Sequence, residues 1–117
     1  KMQAWLLGSN VSQLTLAAAA ATVADAHHIE IERTRNRETR ALAVRFFQKA
    51  GFKVPDCHAN FMMIDIHRDV KAFKAECIKH KVAIGRQFPS LPTHARVSIG
   101  TMAEMKKAFE VFTATLA

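Results

Sequence analysis

Residues 82–101 read VAIGRQFPSLPTHARVSIGT, and this stretch decides the fold. Its apolar run at 82–84 and its alternating run at 95–99 predict two short strands, with Arg86 and Arg96 beside or within them. Pro89 and Pro92 stiffen the crossing between the strands, because proline fixes φ and has no N–H to donate. Two arginines at matching places indicate an anion site, since a guanidinium can bind a carboxylate or a phosphate through two hydrogen bonds.

The flanking sequence predicts two more strands and two helices that cover them. Apolar runs at 52–54 and 60–66 predict the strands, and the second run is apolar enough to be a central strand. Asp69 is placed to cap a helix that extends to about Lys79, and Thr101 with Glu104 has the spacing of a capping box. Both helices have an apolar side, formed by Val70, Phe73 and Cys77 in the first and by Met105, Ala108, Phe109, Phe112 and Leu116 in the second.

Two helices are predicted ahead of these strands. Ser12 is placed to cap an alanine-rich helix that ends near Ala26, and we expect this helix to be buried in a core. The second helix runs from about Ile29 to Ala50 and ends at Gly51, with an apolar side formed by Leu42, Phe46 and Ala50. Its first half is highly charged, which predicts that it lies on a surface or bridges two bodies.

The predicted order of elements defines an α+β fold. It is a small sheet of about four short strands covered by helices and preceded by a long bridging helix. A chain of 117 residues, half of them hydrophobic, can form one domain with a modest core.

Net charge and cysteine content indicate possible binding partners and a cellular compartment, but they do not identify a function. The formal net charge of +7 suits nucleic acid, an acidic surface or small anionic substrates. Cys57 and Cys77 are too few and too widely spaced for a disulfide framework, which indicates a reducing compartment, and the cytoplasm is expected. The longest apolar run, at 14–24, is shorter than the roughly 20 residues of a membrane span, so no membrane association is expected.

Other functions fit parts of the sequence. Arg33, Arg37 and Arg40 share one helix face and could neutralise phosphates, so a non-catalytic basic α/β module that binds nucleic acid or a protein partner is the alternative. A second alternative is a stand-alone regulatory or interaction domain. For Arg86 and Arg96 themselves, the alternative is that each side chain is simply solvated, and a position in a cleft would decide between the two interpretations.

Two Cys–His pairs provide residue types that bind zinc. Cys57-His58 and Cys77 with His80 offer thiolate and imidazole ligands, but the spacing is loose and Cys77 lies on the apolar side of its helix. Because buried free cysteines are common, no metal site is predicted.

A set of short motifs resembles the C-terminal part of fold-type-I aminotransferases. The motifs are Asn10-Val11-Ser12 before an alanine-rich helix, Arg37 to Arg40, Gly51, Ala59-Asn60-Phe61, and Arg96 to Thr101 followed by Glu104-Met105. The pattern is most similar to histidinol-phosphate aminotransferases and their class I/II neighbours. The resemblance spans essentially all 117 residues, and its RVSIGT and ANF strings are specific in combination.

The resemblance implies a pyridoxal-phosphate-dependent transaminase, which moves an amino group between an amino acid, or histidinol phosphate, and a 2-oxo acid. In that family the arginine of the RVSIGT-type strand binds the substrate α-carboxylate, which implies this role for Arg96. The arginine after the preceding strand often contacts the substrate side chain or its phosphate, which implies a second anion contact for Arg86.

The resemblance also implies what this stretch lacks. In such enzymes the lysine that bears the cofactor and the residues around the cofactor ring and phosphate belong to a region upstream of Lys1, so no catalytic or cofactor-binding residue is assigned. We expect residues 1–27 to contain a helix that packs on a missing large domain, residues 28–117 to form the small domain, and the enzyme to be a homodimer or other homo-oligomer. The chain lacks an initiator methionine and ends within a helical pattern, so it is expected to be an incomplete segment that cannot transaminate alone.

Overall fold

The computed structural model describes residues 11–116, so Lys1 and Asn10 lie outside the described part. The elements within that part are α1 (Gln13–Ala24), α2 (Ala26–Lys49), β1 (Phe61–Asp65), α3 (Val70–Lys79), β2 (His94–Ser98) and α4 (Met102–Leu116). The chain divides into two compact units, and the boundary after Arg33 falls within α2. The α+β class is confirmed.

In the first unit, α1 begins where the sequence predicts and ends at an aspartate. The Ser12 hydroxyl accepts a hydrogen bond from the Thr15 N–H at 3.1 Å, which confirms Ser12 as the N-cap. Asp25 follows the last residue of α1, and its carboxylate accepts the His28 N–H at 2.9 Å at the start of α2. One aspartate therefore separates the two helices, and α2 starts three residues before the predicted Ile29.

The expectation that the alanine-rich helix is buried is wrong, because α1 has no buried residue. The reason lies in the arrangement of its larger apolar residues. Leu14 lies on the opposite side of the helix from Leu16 and Val23, so the larger apolar residues are not gathered on one face.

In the second unit, α2 ends in a Schellman motif. Gly51 has a φ of +86°, its N–H donates to the Gln48 carbonyl at 3.0 Å, and the Phe52 N–H donates to the Phe47 carbonyl at 2.9 Å. The rings of Phe47 and Phe52 pack edge to face with their centres 6.3 Å apart, which is the apolar contact that usually accompanies this motif. Gly51 is thereby confirmed as the residue that ends the helix.

The buried side of α2 is rotated by one residue from the predicted one. Thr39, Ala43 and Phe47 are the buried residues, whereas Phe46 is half-buried and Ala50 is exposed. The Phe47 ring lies against Phe112, at 5.8 Å between ring centres, and this contact sets which side of the helix faces the core.

The prediction of about four strands is wrong, because the sheet of the described residues has two antiparallel strands, β1 and β2. The segments 52–54 and 82–84 are not strands. The N–H of Phe52 bonds to the carbonyl of Phe47, and the N–H of Val82 bonds to the carbonyl of Cys77 at 3.0 Å, so each segment begins by closing the helix before it. With one neighbour on the sheet, β1 is not a central strand either.

The core lies between one face of the β1–β2 ribbon and helices α2, α3 and α4. The predicted apolar sides of α3 and α4 are confirmed, since Val70, Phe73, Cys77, Met105, Ala108 and Phe112 are all buried. The Phe112 ring lies 5.6 Å from the ring of Phe73 and also contacts Phe47, so one aromatic side chain joins three helices. No helix within residues 11–116 combines the length and apolarity needed to cross a bilayer.

Candidate anion-binding site

The β1–β2 ribbon has a buried face and a partly exposed face. Along β2, Ala95 and Val97 are buried, and Arg96 between them lies on the opposite face. The pairing register places Arg96 opposite Met63, so Phe61, two residues before Met63, is on the same face. Arg96 therefore projects from the side of the ribbon that does not face the core, and it is half-buried there.

Arg96 is held between an aromatic ring and a glycine. Its guanidinium carbon lies 4.3 Å from the centre of the Phe61 ring, within the range of a cation–π interaction. On the other side, a Cβ built on Gly85 would lie 3.0 Å from Cβ, Cγ and Cδ of Arg96, so the arginine stem lies directly against the glycine. The Gly85 N–H also donates to the Arg96 carbonyl at 2.8 Å, which ties the segment after residue 84 to β2.

Arg96 has unused binding capacity. Its Nε is buried and has no hydrogen-bond partner, and no carboxylate within residues 11–116 forms an ion pair with it. A guanidinium carries five N–H donors in a planar fork, so an oxyanion can still be bound through the terminal nitrogens. This is what a site for an external anion requires.

Arg86 lies next to the same glycine but is exposed. Its guanidinium carbon is 4.8 Å from the centre of the Phe88 ring, in a turn that the isolated bridge between Phe88 and Leu91 closes. Because Gly85 is hydrogen-bonded to Arg96, the structure brings the backbones of the two arginines together. Each guanidinium nevertheless rests on its own aromatic ring.

Lys74 adds a third positive charge to this region. From α3, its Nζ donates to the Gly85 carbonyl at 3.4 Å, a long hydrogen bond. We refer to Lys74, Arg86 and Arg96 as the Gly85 cluster. Sequence analysis missed both Lys74 and the contact between Phe61 and Arg96. The Phe61 contact depends on strand register, and nothing in the spacing along α3 distinguishes Lys74 from its neighbours.

Asp65 is the acidic residue on the same face of the ribbon, at the opposite end of β1 from Phe61. Hydrogen bonds from the His67 N–H, at 2.9 Å, and from Thr93 hold the pKa of Asp65 below its ordinary value. Its carboxylate is therefore ionised at neutral pH and already occupied by local donors. Asp65 does not neutralise the Gly85 cluster.

The residues weighed as zinc ligands have other roles. The thiol of Cys57 donates to the Phe61 carbonyl at 2.8 Å, and Cys77 lies in the core, where burial raises the pKa of its thiol. Within residues 11–116 no group of three or more His, Cys, Asp or Glu side chains is arranged to hold a metal ion.

The arginines of the predicted basic helix face each have a local partner. In the first unit, Arg33 forms an ion pair with Glu30 at 2.7 Å. In the second unit, Arg37 donates to the Thr34 hydroxyl at 3.2 Å, and Arg40 donates to Asn36 at 3.0 Å and to the Ala59 carbonyl at 3.1 Å. Arg40 in particular fixes the loop before β1 to α2, which gives it a structural role.

The fold and sequence place this chain in a known class of enzymes. The sequence profile of the family described as aminotransferase class I and II matches residues 1–112, and the chain belongs to that family. A solved structure of a provisionally assigned histidinol-phosphate aminotransferase from Erwinia carotovora atroseptica superposes with a TM-score of 0.83 at 21% identity. That similarity covers 97% of this chain and 33% of the other, and it shows a shared fold.

Two curated relatives are histidinol-phosphate aminotransferases. The histidinol-phosphate aminotransferase of Symbiobacterium thermophilum is 30% identical over 109 residues, which cover 92% of this chain and 30% of the relative. The histidinol-phosphate aminotransferase of Hyphomonas neptunium is 30% identical over 112 residues, which cover 91% of this chain and 30% of the relative. The chain therefore spans about 30% of the length of the curated relatives that it matches.

Proposed function

We propose that this chain is the C-terminal, small-domain segment of a pyridoxal-phosphate-dependent aminotransferase and that it supplies the arginines that bind the substrate anion. The observation that carries the proposal is Arg96, a half-buried arginine that rests on Phe61 and has no anionic partner within residues 11–116. Residues 28–117 would form the small domain, and the helix within residues 1–27 would pack on a large domain. The enzyme would be a cytoplasmic homo-oligomer, and both cysteines of the segment are free thiols.

The two arginines have different proposed roles. Arg96 binds the α-carboxylate of an amino acid or 2-oxo acid in bidentate fashion, and Arg86 contacts a second anionic group on the substrate. Histidinol phosphate has no carboxylate, so for that substrate both arginines would serve the phosphate. A panel of amino donors, including histidinol phosphate, tested on the complete enzyme would identify which arrangement applies.

Pyridoxal phosphate supplies the electron sink that transamination needs, but the Gly85 cluster does not fit as its binding site. Lys74 donates to the Gly85 carbonyl, and one face of the Phe61 ring is covered by Arg96, so we assign neither side chain to the cofactor. We assign no cofactor contact to this segment, and we expect no transamination from it alone.

The test is the Arg96→Lys substitution in the complete enzyme. Lysine keeps the charge but loses the second charged hydrogen bond, which contributes about 1.5–3 kcal/mol, so the KM for the 2-oxo acid should rise about 10- to 100-fold. Steady-state kinetics with varied 2-oxo acid measure this change.

The matched control is Arg45→Lys, since Arg45 is an exposed arginine of α2. It should leave KM unchanged. A KM for Arg96→Lys equal to that of the unmodified enzyme would show that the carboxylate is bound elsewhere.

A further inference from the structure

We propose that Gly85 and Phe61 are positioning residues that hold Arg96 in its anion-binding orientation, Gly85 because it has no side chain and Phe61 because it supplies a ring. This rests on the proposed role of Arg96 as the substrate-anion contact. The two residues come from different parts of the chain, one from the segment before the turn at 88–91 and one from β1.

Phe61 fixes where the guanidinium lies along the ribbon. The ring attracts the cation to its face, and the separation of 4.3 Å leaves no room for another group between them. Phe61 is itself held by β1, where it pairs with Ser98, and its carbonyl accepts the Cys57 thiol. The Phe61 ring is therefore attached to the same ribbon that carries Arg96.

Gly85 fixes the path of the arginine stem. Three successive carbons of Arg96 would lie 3.0 Å from a Cβ at this position, so a methyl group would press on the whole stem and not only on its flexible tip. The stem would have to shift by a few tenths of an ångström, which changes how the guanidinium sits over the Phe61 ring. Because no positive φ is found at Gly85, alanine can adopt this backbone conformation, so the effect of the substitution comes from its contact with Arg96.

The unpartnered Nε reports this orientation. With Nε buried, the Nε–H edge of the guanidinium faces inward and the two terminal nitrogens remain for a ligand. An arginine held in this way is pre-organised, so less conformational entropy is lost when the anion binds. The exchange rate of the Nε hydrogen with solvent is a direct measure of how firmly Arg96 is held, with or without a substrate.

The experiment follows the Nε–H resonances of the ¹⁵N-labelled 117-residue chain by NMR at mildly acidic pH. In the unmodified chain, the Arg96 Nε hydrogen should exchange at least about tenfold more slowly than that of the exposed Arg45. Gly85→Ala and Phe61→Leu should each remove most of this protection while the melting temperature changes little. Phe61→Tyr keeps the ring and should keep the protection, as should Ala83→Gly, the matched exposed control in the same segment.

The double variant Gly85→Ala/Phe61→Leu tests whether the two residues hold Arg96 together or act independently. Once Phe61→Leu has released the guanidinium, the methyl group of Gly85→Ala has little left to displace, so the two effects should not add. In the complete enzyme, Gly85→Ala should raise the KM for the 2-oxo acid several-fold and change kcat less, since the reacting groups are untouched.

The proposal is overturned if Arg96 exchanges as fast as Arg45 in the unmodified chain, or if Gly85→Ala leaves its protection intact. If Gly85→Ala prevents folding, the protection of the Arg96 Nε hydrogen is compared between Phe61→Leu and Phe61→Tyr. Equal protection in these two variants would likewise overturn the proposal. If Gly85→Ala releases Arg96 while Arg96→Lys leaves KM unchanged, the positioning stands and the proposed function fails. If Arg96→Lys raises KM but Gly85→Ala changes neither protection nor KM, the positioning alone fails.

Discussion

Thr39 and Arg96 are the side chains of the described residues whose buried polar atoms have no hydrogen-bond partner. Their settings differ. Arg96 is half-buried on the outer face of the ribbon, where a ligand can reach the rest of its guanidinium, whereas Thr39 is fully buried on the core side of α2. The unsatisfied atom of Arg96 belongs to a candidate site, and the unsatisfied hydroxyl of Thr39 is a cost to stability.

We expect Thr39→Val to stabilise the chain. Valine has nearly the same shape, and it removes a buried hydroxyl that has no partner, so the free energy of unfolding should rise by about 1 kcal/mol. Urea denaturation followed by circular dichroism measures the change. The control is Thr113→Val on α4, where the hydroxyl is exposed and donates to the Phe109 carbonyl at 2.8 Å. A loss of stability in Thr39→Val would mean that the hydroxyl has a partner in solution.

At the scale of elements, the start of α4 is closed by reciprocal hydrogen bonds between Thr101 and Glu104. The Thr101 N–H and hydroxyl donate to the Glu104 carboxylate at 2.7 Å and 2.8 Å, and the Glu104 N–H donates to the Thr101 hydroxyl at 3.3 Å. This reciprocal pattern is the predicted capping box, and it is confirmed. The hydrogen bonds from Thr101, led by that of its N–H, hold the pKa of Glu104 below its ordinary value.

The capping box predicts a specific pH dependence. Because the pKa of Glu104 is lower in the folded state than in the unfolded chain, its contribution is fully present above the unfolded pKa of about 4.3 and is lost as the pH falls through the lower folded value. Thermal melts in acid should therefore show a smaller loss of stability for Glu104→Ala than for the unmodified chain, since the variant is already destabilised at neutral pH. Glu110→Ala changes an exposed glutamate of the same helix outside the capping box and is the control, and it should keep the pH profile of the unmodified chain. Identical pH profiles for all three would contradict the capping role.

At the scale of the whole molecule, the two units differ in how far their large apolar side chains are buried. The second unit has one core, in which Phe47, Phe73 and Phe112 are almost fully enclosed. In the first unit, Leu14 is 84% exposed and Val23 is 75% exposed. Exposed apolar side chains of this size favour association with other surfaces.

We expect the 117-residue chain to self-associate through α1. Replacing Leu14 and Val23 together by glutamine should lower the average mass measured by multi-angle light scattering, because it removes the two most exposed large apolar side chains of that helix. Lys71→Gln on α3 changes an exposed residue outside α1 and should leave the mass unchanged. A monodisperse monomer in the unmodified chain would contradict the expectation.

The sequence alone determined the features that depend on a few neighbouring residues. Ser12, Asp69 and Thr101 cap the helices that they were predicted to cap, because a cap is a hydrogen bond between residues two or three apart. Gly51 ends α2, because glycine adopts a left-handed conformation more readily than other residues. The apolar sides of α3 and α4 were equally readable, since helical spacing brings such residues to one face.

Only the tertiary structure decided which residues meet across the chain. The strand register that brings Phe61 to Arg96, the contact of Gly85 with the arginine stem and the side of α2 that is buried each involve residues distant in sequence. Whether residues 52–54 and 82–84 join a sheet was likewise not local, because an apolar run is equally compatible with a paired strand and with an extended segment packed on a core. Composition and spacing limit the secondary structures that a segment can form. Contacts with residues distant in sequence then determine which of these structures forms.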